Sequence, residues 1–544
     1  MRLLLTLLAG VSPFAVSAAL AQVKADPYAA PAVTGPSSKT VEAVGATKAA
    51  SGAPYILPTA PGWSATSLLT TGDAVKGYAL AGIPDGVGLF DNGDRTLTVL
   101  INHEIGSERG AVRGHGGKGA FVSRWTLNKD TLEVTGGRDF VDSAANLHLY
   151  DRKGERYVAA SALVGTPEAK LLDLTRLCSA DLAAVSAFYN AASGKGYNGR
   201  IFLNGEEGGN GNANRAFAWI VGDASAWELP AFGFGTTGDN ADPPPSWENV
   251  VANPASGDAT VVMANSDGGT NQIYLYLGAK QASGSPIERA GLANGRLWSI
   301  AVAGIASEDR ASNIGIAKSL AGKGGGKRVA LAAPNRGTSF LRPEDGAWDP
   351  RNPNRYYFVT TDRNNFAADG TAREGQDVTQ VGRSRLWSVT FDDVTRIAPE
   401  AASVGTIELL LDGTEGGDMF DNITVDRAGR ITLNEDTGNA RHNAKMWQYD
   451  TESGAFAPIF KFDPAKFGDV VNATYSAPTA PFTDDKETSG VIDASEAFAD
   501  AAWFRPGSQA LLTVVQAHFA YDAKEAAGAA LVEGGQLLLL TRPP

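Results

Sequence analysis

Ser339–Asp362 reads SFLRPEDGAWDPRNPNRYYFVTTD. An Arg and a Glu two residues apart precede a short apolar run, an Asp-Pro and Asn-Pro turn, and then aromatic and β-branched residues that end in an acid. Tyr, Phe, Val and Thr suit the pleated, part-buried surface of a sheet, and Pro beside Asp or Asn punctuates a chain reversal. The stretch therefore reads as half of a β-meander with ionisable groups at both of its ends.

The same pattern recurs along the chain. Six strands end in polar or acidic residues: LTVLINHE (Leu97–Glu104), RIFLNGEE (Arg200–Glu207), TVVMANSD (Thr260–Asp267), RYYFVTTD (Arg355–Asp362), RITLNED (Arg430–Asp436) and ALLTVVQAH (Ala510–His518). Turn signals precede them, namely DNGD, YNG, PASGD, DPRNPN, DRAG and RPGSQ. Upstream of the turns lies a shorter element, at PDGVGLF, WENVVANP, PEDGAWDP, DNITVDRAG and, more weakly, ADAAWFRPG. Downstream, a third strand carries Trp or Tyr, as in FVSRWTL, FAWIV, IYLYL, LWSVTF and MWQY.

Degenerate antiparallel units repeated about six times predict an all-β fold, a β-propeller of six blades. The units begin at 85, 178, 248, 344, 421 and 500, farther apart than the ~40–50 residues of a compact blade. Loop and short helical insertions must therefore decorate it, and residues 179–195 and the glycine-rich 301–327 read as such. The C-terminal GGQLLLL is expected to close the ring against the strands of the first blade.

With 544 residues, 43% of them hydrophobic and only 20% charged, the chain has ample material for a large core. A formal charge of −13 offers no basic field for displacing counterions from phosphates, so a nucleic-acid partner is not expected. Met1–Gln22 (MRLLLTLLAGVSPFAVSAALAQ) has one Arg, an apolar run and small residues at Ala19 and Ala21. That is the pattern of a secretory signal peptide over 1–21, which predicts a periplasmic or extracellular protein. Residues 22–62, rich in Ala, Pro, Ser and Thr, read as a poorly ordered leader, and 63–544 as a single propeller domain. No later window reaches the roughly 18 apolar residues of a membrane span, and a monomer is expected.

In a propeller, equivalent residues of the inner strands form a ring around one end of the central channel. The positions just before the inner strands are Asp85, Cys178, Glu248, Glu344 and Asp421. The lone cysteine reads either as a small buried hydrophobe or, standing where other blades put a carboxylate, as a ligand. Converging carboxylates raise one another's pKa unless cations neutralise them. Oxygen-rich sites suit calcium, and a thiolate among carboxylates suits iron. The strand-end acids Glu104, Glu207, Asp267, Asp362, Glu435 and Asp436 line the same mouth or cap turns, with Asp362 and Asp436 the stronger cases for capping. Arg342 presents a planar fork to a tetrahedral oxyanion, or else pairs with a neighbouring acid. The basic loop Arg109–Lys118 contacts substrate anions or is simply solvated. HExxH, Walker and GxSxG patterns are missing, and five scattered His argue against a His-rich zinc site or a Ser-His-Asp triad.

The series INHE (101–104), LCS (177–179), NGEE (204–207), WEN (247–249), RPE (342–344) and DNITVD…LNED (421–436) resembles the PhoX-like family of exported bacterial alkaline phosphatases. The resemblance runs from about residue 65 to the C-terminus. It implies a six-bladed propeller whose channel mouth holds an iron and calcium cluster that hydrolyses phosphate monoesters. Carried over, it makes Cys178, Glu248 and Glu344 iron ligands, Glu104, Glu207 and Glu435 calcium-side ligands, and Arg342 the catalytic phosphate clamp. Asp85 and Asp421 join the metal set from their ring positions. Family members often carry Asn after the paired Glu, where this chain has Gly208, so Asn204, Asn210 or Asn249 would supply that substrate contact. The signal lacks a twin Arg. Small phosphorylated substrates are the expected partners. The alternative readings are a calcium-dependent propeller esterase or lactonase, and a non-catalytic calcium-binding propeller.

Overall fold

The computed structural model describes residues 52–208, 214–233, 245–363, 384–472 and 474–544. The signal segment, most of the 22–62 leader and Asn210 lie outside the described residues. Within them the chain folds as a β-propeller of six blades. The inner strands are Pro84–Asp91, Leu177–Asp181, Val251–Ala252, Pro343–Asp349, Phe420–Val425 and Asp485–Asp493. Each pairs antiparallel with the next strand of its own blade. Neighbouring inner strands touch in order round the circle, and the sixth touches the first, so the ring is closed.

Three expectations need correction. The sixth inner strand is Asp485–Asp493, not the segment at Asp500, because residues 494–508 form a loop inserted between that strand and Gln509–Ala520. The ring is closed by an N-terminal strand, Ser64–Thr70, which pairs with Glu533–Arg542 as the outermost strand of the last blade, rather than by the C-terminus joining the first. Residues just before 63 also belong to the propeller: Ile56–Pro58 extends the fifth blade by pairing with Phe456–Phe462, and Tyr55 and Ile56 are buried. Residues 179–195 hold the end of the second inner strand, a single 3-10 turn at Val185–Ala187 and the start of a short hairpin, in keeping with the short helical insertion expected. No helix among the described residues is long and apolar enough to cross a membrane.

Six apolar clusters fill the wedges between adjacent blades. Successive side chains of a strand point to opposite faces, so a strand in mid-blade must be apolar on both. In Asn352–Thr360, Tyr356 and Phe358 enter the wedge toward the third blade, while Tyr357 and Val359 enter the one toward the fifth. The unbroken YYFV run follows from that double burial. Near the axis the strands crowd until only glycine fits. A Cβ on Gly86 would lie 2.3 Å from the Ala180 nitrogen, and one on Gly346 would lie 2.1 Å from Tyr356 Oη.

Candidate metal centre at the channel mouth

Because every inner strand starts at the same end of the channel, their first residues converge there. These are Asp85, Cys178, Glu248, Glu344, Asp421 and Glu487, all buried. A second circle comes from the ends of the adjacent strands, four of which carry Asn-x-acid. In it, Asn102 donates to Cys178 O at 2.8 Å, Asn265 donates to Glu344 O, and Asn434 donates to Ser489 O. Each asparagine thus pins the inner strand of the following blade just below the acids that rise to the mouth.

The ligand atoms form one contiguous arc. Asp85, Glu104 and Cys178 lie within 4.8 Å of one another, as do Cys178, Glu207 and Glu248, then Glu248, Glu344 and Asp421, then Asp421, Asp436 and Glu487. Consecutive groups share Cys178, Glu248 and Asp421, so eight carboxyls and one thiol make a single site. Burial, reinforced by the surrounding acids, pushes Cys178, Glu248, Glu344, Asp421 and Glu487 well above their ordinary values. Burial likewise raises Asp85 and Glu207 to about 8, the charge of Glu104 adding to both.

Whether the donors fit cations is answered by their unmet needs. Both carboxylate oxygens of Glu248 and Oδ1 of Asp421 are buried with no hydrogen-bond partner. A buried polar atom without a partner is costly, and a carboxylate ringed by others is more so. The set is oxygen-rich with one sulfur, a donor chemistry that fits calcium-like and iron-like cations.

Two arginines stand over this arc. Arg342 donates from Nε and Nη2 to Asp267 at 2.9 and 2.6 Å, and Nη2 lies 3.0 Å from Glu344 Oε1. Arg176 bridges Glu104, at 2.9 Å from Nε, and Glu207. Their side chains stay 39% and 47% exposed, so each keeps an edge turned to solvent. Arg176 precedes Cys178 by two residues just as Arg342 precedes Glu344. Both are in the left-handed region, with φ of 37° and 59°, as are Ile83 before Asp85 and Met419 before Asp421. Non-glycine residues held there mark backbone strain of the kind that collects at functional sites.

The remaining site expectations divide. The structure brings Asp85, Cys178, Glu104, Glu207, Glu248, Glu344 and Asp421 together. It does not bring in Glu435, whose carboxylate accepts from Asp418 N, Lys445 N and Trp447 Nε1, all within 2.8 Å, because it faces away from the channel. Its neighbour Asp436, read as a turn cap, points to the mouth instead. Asp362 is a structural acid held by Arg310. Asn249 is no substrate contact. It lies below the ring with Nδ2 on Asp345 at 2.8 Å and Oδ1 accepting from Asn265 N. Asn204 is spent on Asn102 and Trp219. Gly208 has φ of 67°, a conformation open chiefly to Gly and Asn.

Sequence reasoning missed Glu487 and Arg176. The R-x-ligand spacing shared by 176–178 and 342–344 was the available signal for Arg176, whereas Glu487 was hidden by misplacement of the sixth inner strand. In the basic loop, Arg109 pairs with Glu533 at 2.5 Å, and Glu533 also binds His518 Nδ1 at 2.6 Å. Burial opposes the charge on His518, but the Glu533 bond and nearby acids outweigh it and hold the imidazole at about 9.

No protein-family model and no curated protein matches the chain. Among solved structures it is similar to the α-L-arabinofuranosidase Arb93A of Fusarium graminearum, at 9% identity over 85% of this chain and 93% of that one, TM-score 0.33. It is also similar to a gluconolactonase of Xanthomonas campestris, at 10% identity, 88% and 90% coverage, TM-score 0.30. A third is the β-propeller domain of Cps50 (Swd1) from Myceliophteria thermophila, at 8% identity, 86% and 98% coverage, TM-score 0.27. The propeller assignment rests on the strand pairing above.

Proposed function

We propose that the protein is a metal-dependent phosphohydrolase that cleaves phosphate monoesters at the channel mouth. The observation that carries the reading is Glu248, a buried carboxylate with neither oxygen hydrogen-bonded, at the centre of a continuous arc of eight carboxyls and a thiol. Asp85, Glu104, Cys178, Glu207, Glu248, Glu344, Asp421, Asp436 and Glu487 would hold the cations, iron toward the thiol and calcium among the carboxylates. Such cations supply Lewis-acid polarisation of a phosphoryl oxygen and activation of water when bound.

The chain's own contribution is binding and orientation. Arg342, fixed from behind by Asp267 and Glu344 through Nε and Nη2, leaves Nη1 to donate to a phosphoryl oxygen. Arg176, fixed by Glu104 and Glu207, offers a second cationic edge to a doubly charged monoester. The asparagine layer holds the inner strands so that neither arginine nor ring needs to reorganise. Export to the periplasm or cell exterior, suggested by the Met1–Gln22 pattern, and action as a monomer belong to the same reading.

The test is hydrolysis of p-nitrophenyl phosphate at alkaline pH by metal-replete protein, with elemental analysis of the same sample. Turnover that falls by about 10²–10³-fold in Arg342→Ala, together with bound iron and calcium, is the expected result. Hydrolysis of carboxylic esters or lactones with calcium alone would place the protein among propeller esterases. A metal-replete protein that cleaves no phosphoester refutes the phosphatase reading.

A further inference from the structure

At the other end of the same inner strand, roughly 16 Å from Glu344 at 3.3 Å per residue, Asp349 opens a second chemical environment. A cavity of about 260 Å³ lies there, lined among others by Lys323, Asp349, Arg351, Arg355 and Thr451. It sits between the fourth and fifth blades and shares no residue with the mouth.

Three cations face this volume. Arg351 reaches Asp349 Oδ1 at 3.3 Å from Nε and Thr451 Oγ1 at 2.8 Å from Nη2. Arg355 lies 3.6 Å from Asp349 Oδ2 through Nη1 and donates from Nε to Thr390, which leaves Nη2 without an acceptor among the described residues. The ammonium of Lys323 has no hydrogen-bond or ion-pair partner among the described residues. One acid, Asp349, only 1% exposed, serves both arginines. Glu452, also on the cavity wall, stands 4.0 Å from Arg351 with 84% of its side chain in solvent, so the lining sets three cations against two acids.

The backbone is shaped around these groups. Gly322 and Gly429 both have positive φ, and a Cβ on them would lie 2.5 Å from Arg355 Nη2 and 1.9 Å from Arg351 Nη1. Each guanidinium is thus seated in a gap that a side chain would fill. The loop carrying Lys323 is tied down where Gly322 N and Gly324 N donate to the buried carboxylate of Glu408 at 2.8 and 3.0 Å. The glycine-rich GKGGGK therefore places its first lysine beside two held arginines.

We infer that this cavity binds a small molecule through a phosphoryl group, with Lys323 and Arg355 as its principal contacts and Arg351 as the third cation. Cations approaching one volume from different elements suit a tetrahedral multivalent oxyanion better than a planar monoanion, and the volume leaves room for a small organic remainder. The group would come from inorganic phosphate or from an organic monoester.

The experiment reads Lys323 directly. Full-length protein is acylated with an amine-reactive ester, and the modification is quantified by peptide mass spectrometry, with exposed Lys153 as internal control. Inorganic phosphate and glycerol 3-phosphate are compared with chloride at equal ionic strength. At ten times the half-protecting concentration, acylation of Lys323 should slow about tenfold, following 1 + [L]/Kd, while Lys153 is unaffected. Greater protection by one probe identifies the source of the group. Arg355→Gln should abolish the protection. If that variant does not fold, calorimetric titration of Lys323→Gln, a change on an exposed loop, should show the loss of one phosphate site. Arg342→Ala should leave protection intact. The inference is overturned if neither probe protects Lys323, if Lys153 is protected equally, if protection survives Arg355→Gln, if Lys323→Gln retains every phosphate site, or if Arg342→Ala removes the protection.

Discussion

Replacing Glu248 with Gln removes one charge and almost no volume from the centre of the arc, and its effect should change sign with cation and fade as pH falls. Glu248 lies within 4.8 Å of ligand atoms of Glu344 and Asp421. Two unit charges at that distance repel by about 3.5 kcal/mol at an effective dielectric constant of about 20, so full ionisation would cost about 7 kcal/mol from these neighbours alone. Taking up a proton is cheaper. At pH 8, protonating a carboxyl whose unfolded pKa is about 4.3 costs about 5 kcal/mol, which caps the penalty. The group's native pKa is raised, so the native state binds more protons than the unfolded one and stability falls as pH rises above about 4. In chelator, Glu248→Gln should therefore gain up to about 5 kcal/mol over wild type at pH 8 and nothing near pH 4. With calcium and iron present the order should reverse, because the variant lacks a ligand. Urea denaturation at both pH values, with chelator and with metal, measures all four conditions. A variant that is destabilised in chelator at pH 8, or that responds to metal as wild type does, would refute the argument that Glu248 is an unpartnered carboxylate awaiting a cation.

Other outcomes follow from the same geometry. Arg342→Ala should lower phosphomonoester turnover by about 10²–10³-fold, the scale for losing one preorganised charge-stabilising donor, as measured by steady-state kinetics. Arg176→Ala should raise KM for monoesters more than for singly charged diesters, as measured by steady-state kinetics on both. Arg385 and Glu308 form a pair with both side chains 0% exposed and Nη1–Oε1 at 2.6 Å. Arg385→Met strands the acid and should cost about 3–5 kcal/mol in denaturant titration. Phe358→Ala, in the wedge between the third and fourth blades, should cost about 3–5 kcal/mol by the same measurement.

Much of this was legible in the chain before folding. Strand, turn and unit count follow from local chemistry: β-branched and aromatic residues in the strands, Asp, Asn, Gly and Pro at the reversals, and polar or acidic residues at the strand ends. Because each blade repeats the same local problem, Ser339–Asp362 read as half of a β-meander with ionisable groups at both ends, and its recurrence along the chain gave Glu344 a ring position. Equivalence between repeats then placed Cys178 among carboxylates without any contact being known.

What only the tertiary structure decided concerns direction and long-range partnership. Whether Glu435 or Asp436 faces the channel depends on which side of one strand is turned inward, a choice set by the neighbouring blades and reversed by a single residue. Glu487 entered the ring only when strand pairing showed that residues 494–508 are an insertion. Asn249 was lost from the substrate side because its amide is consumed by Asp345 and Asn265, from other strands. The ring is closed by Ser64–Thr70 against Glu533–Arg542, a pairing across almost the whole chain that no local pattern encodes. Local sequence carries propensity and periodicity. Which charges meet, and which are left without partners, is set by contacts between residues far apart in the chain.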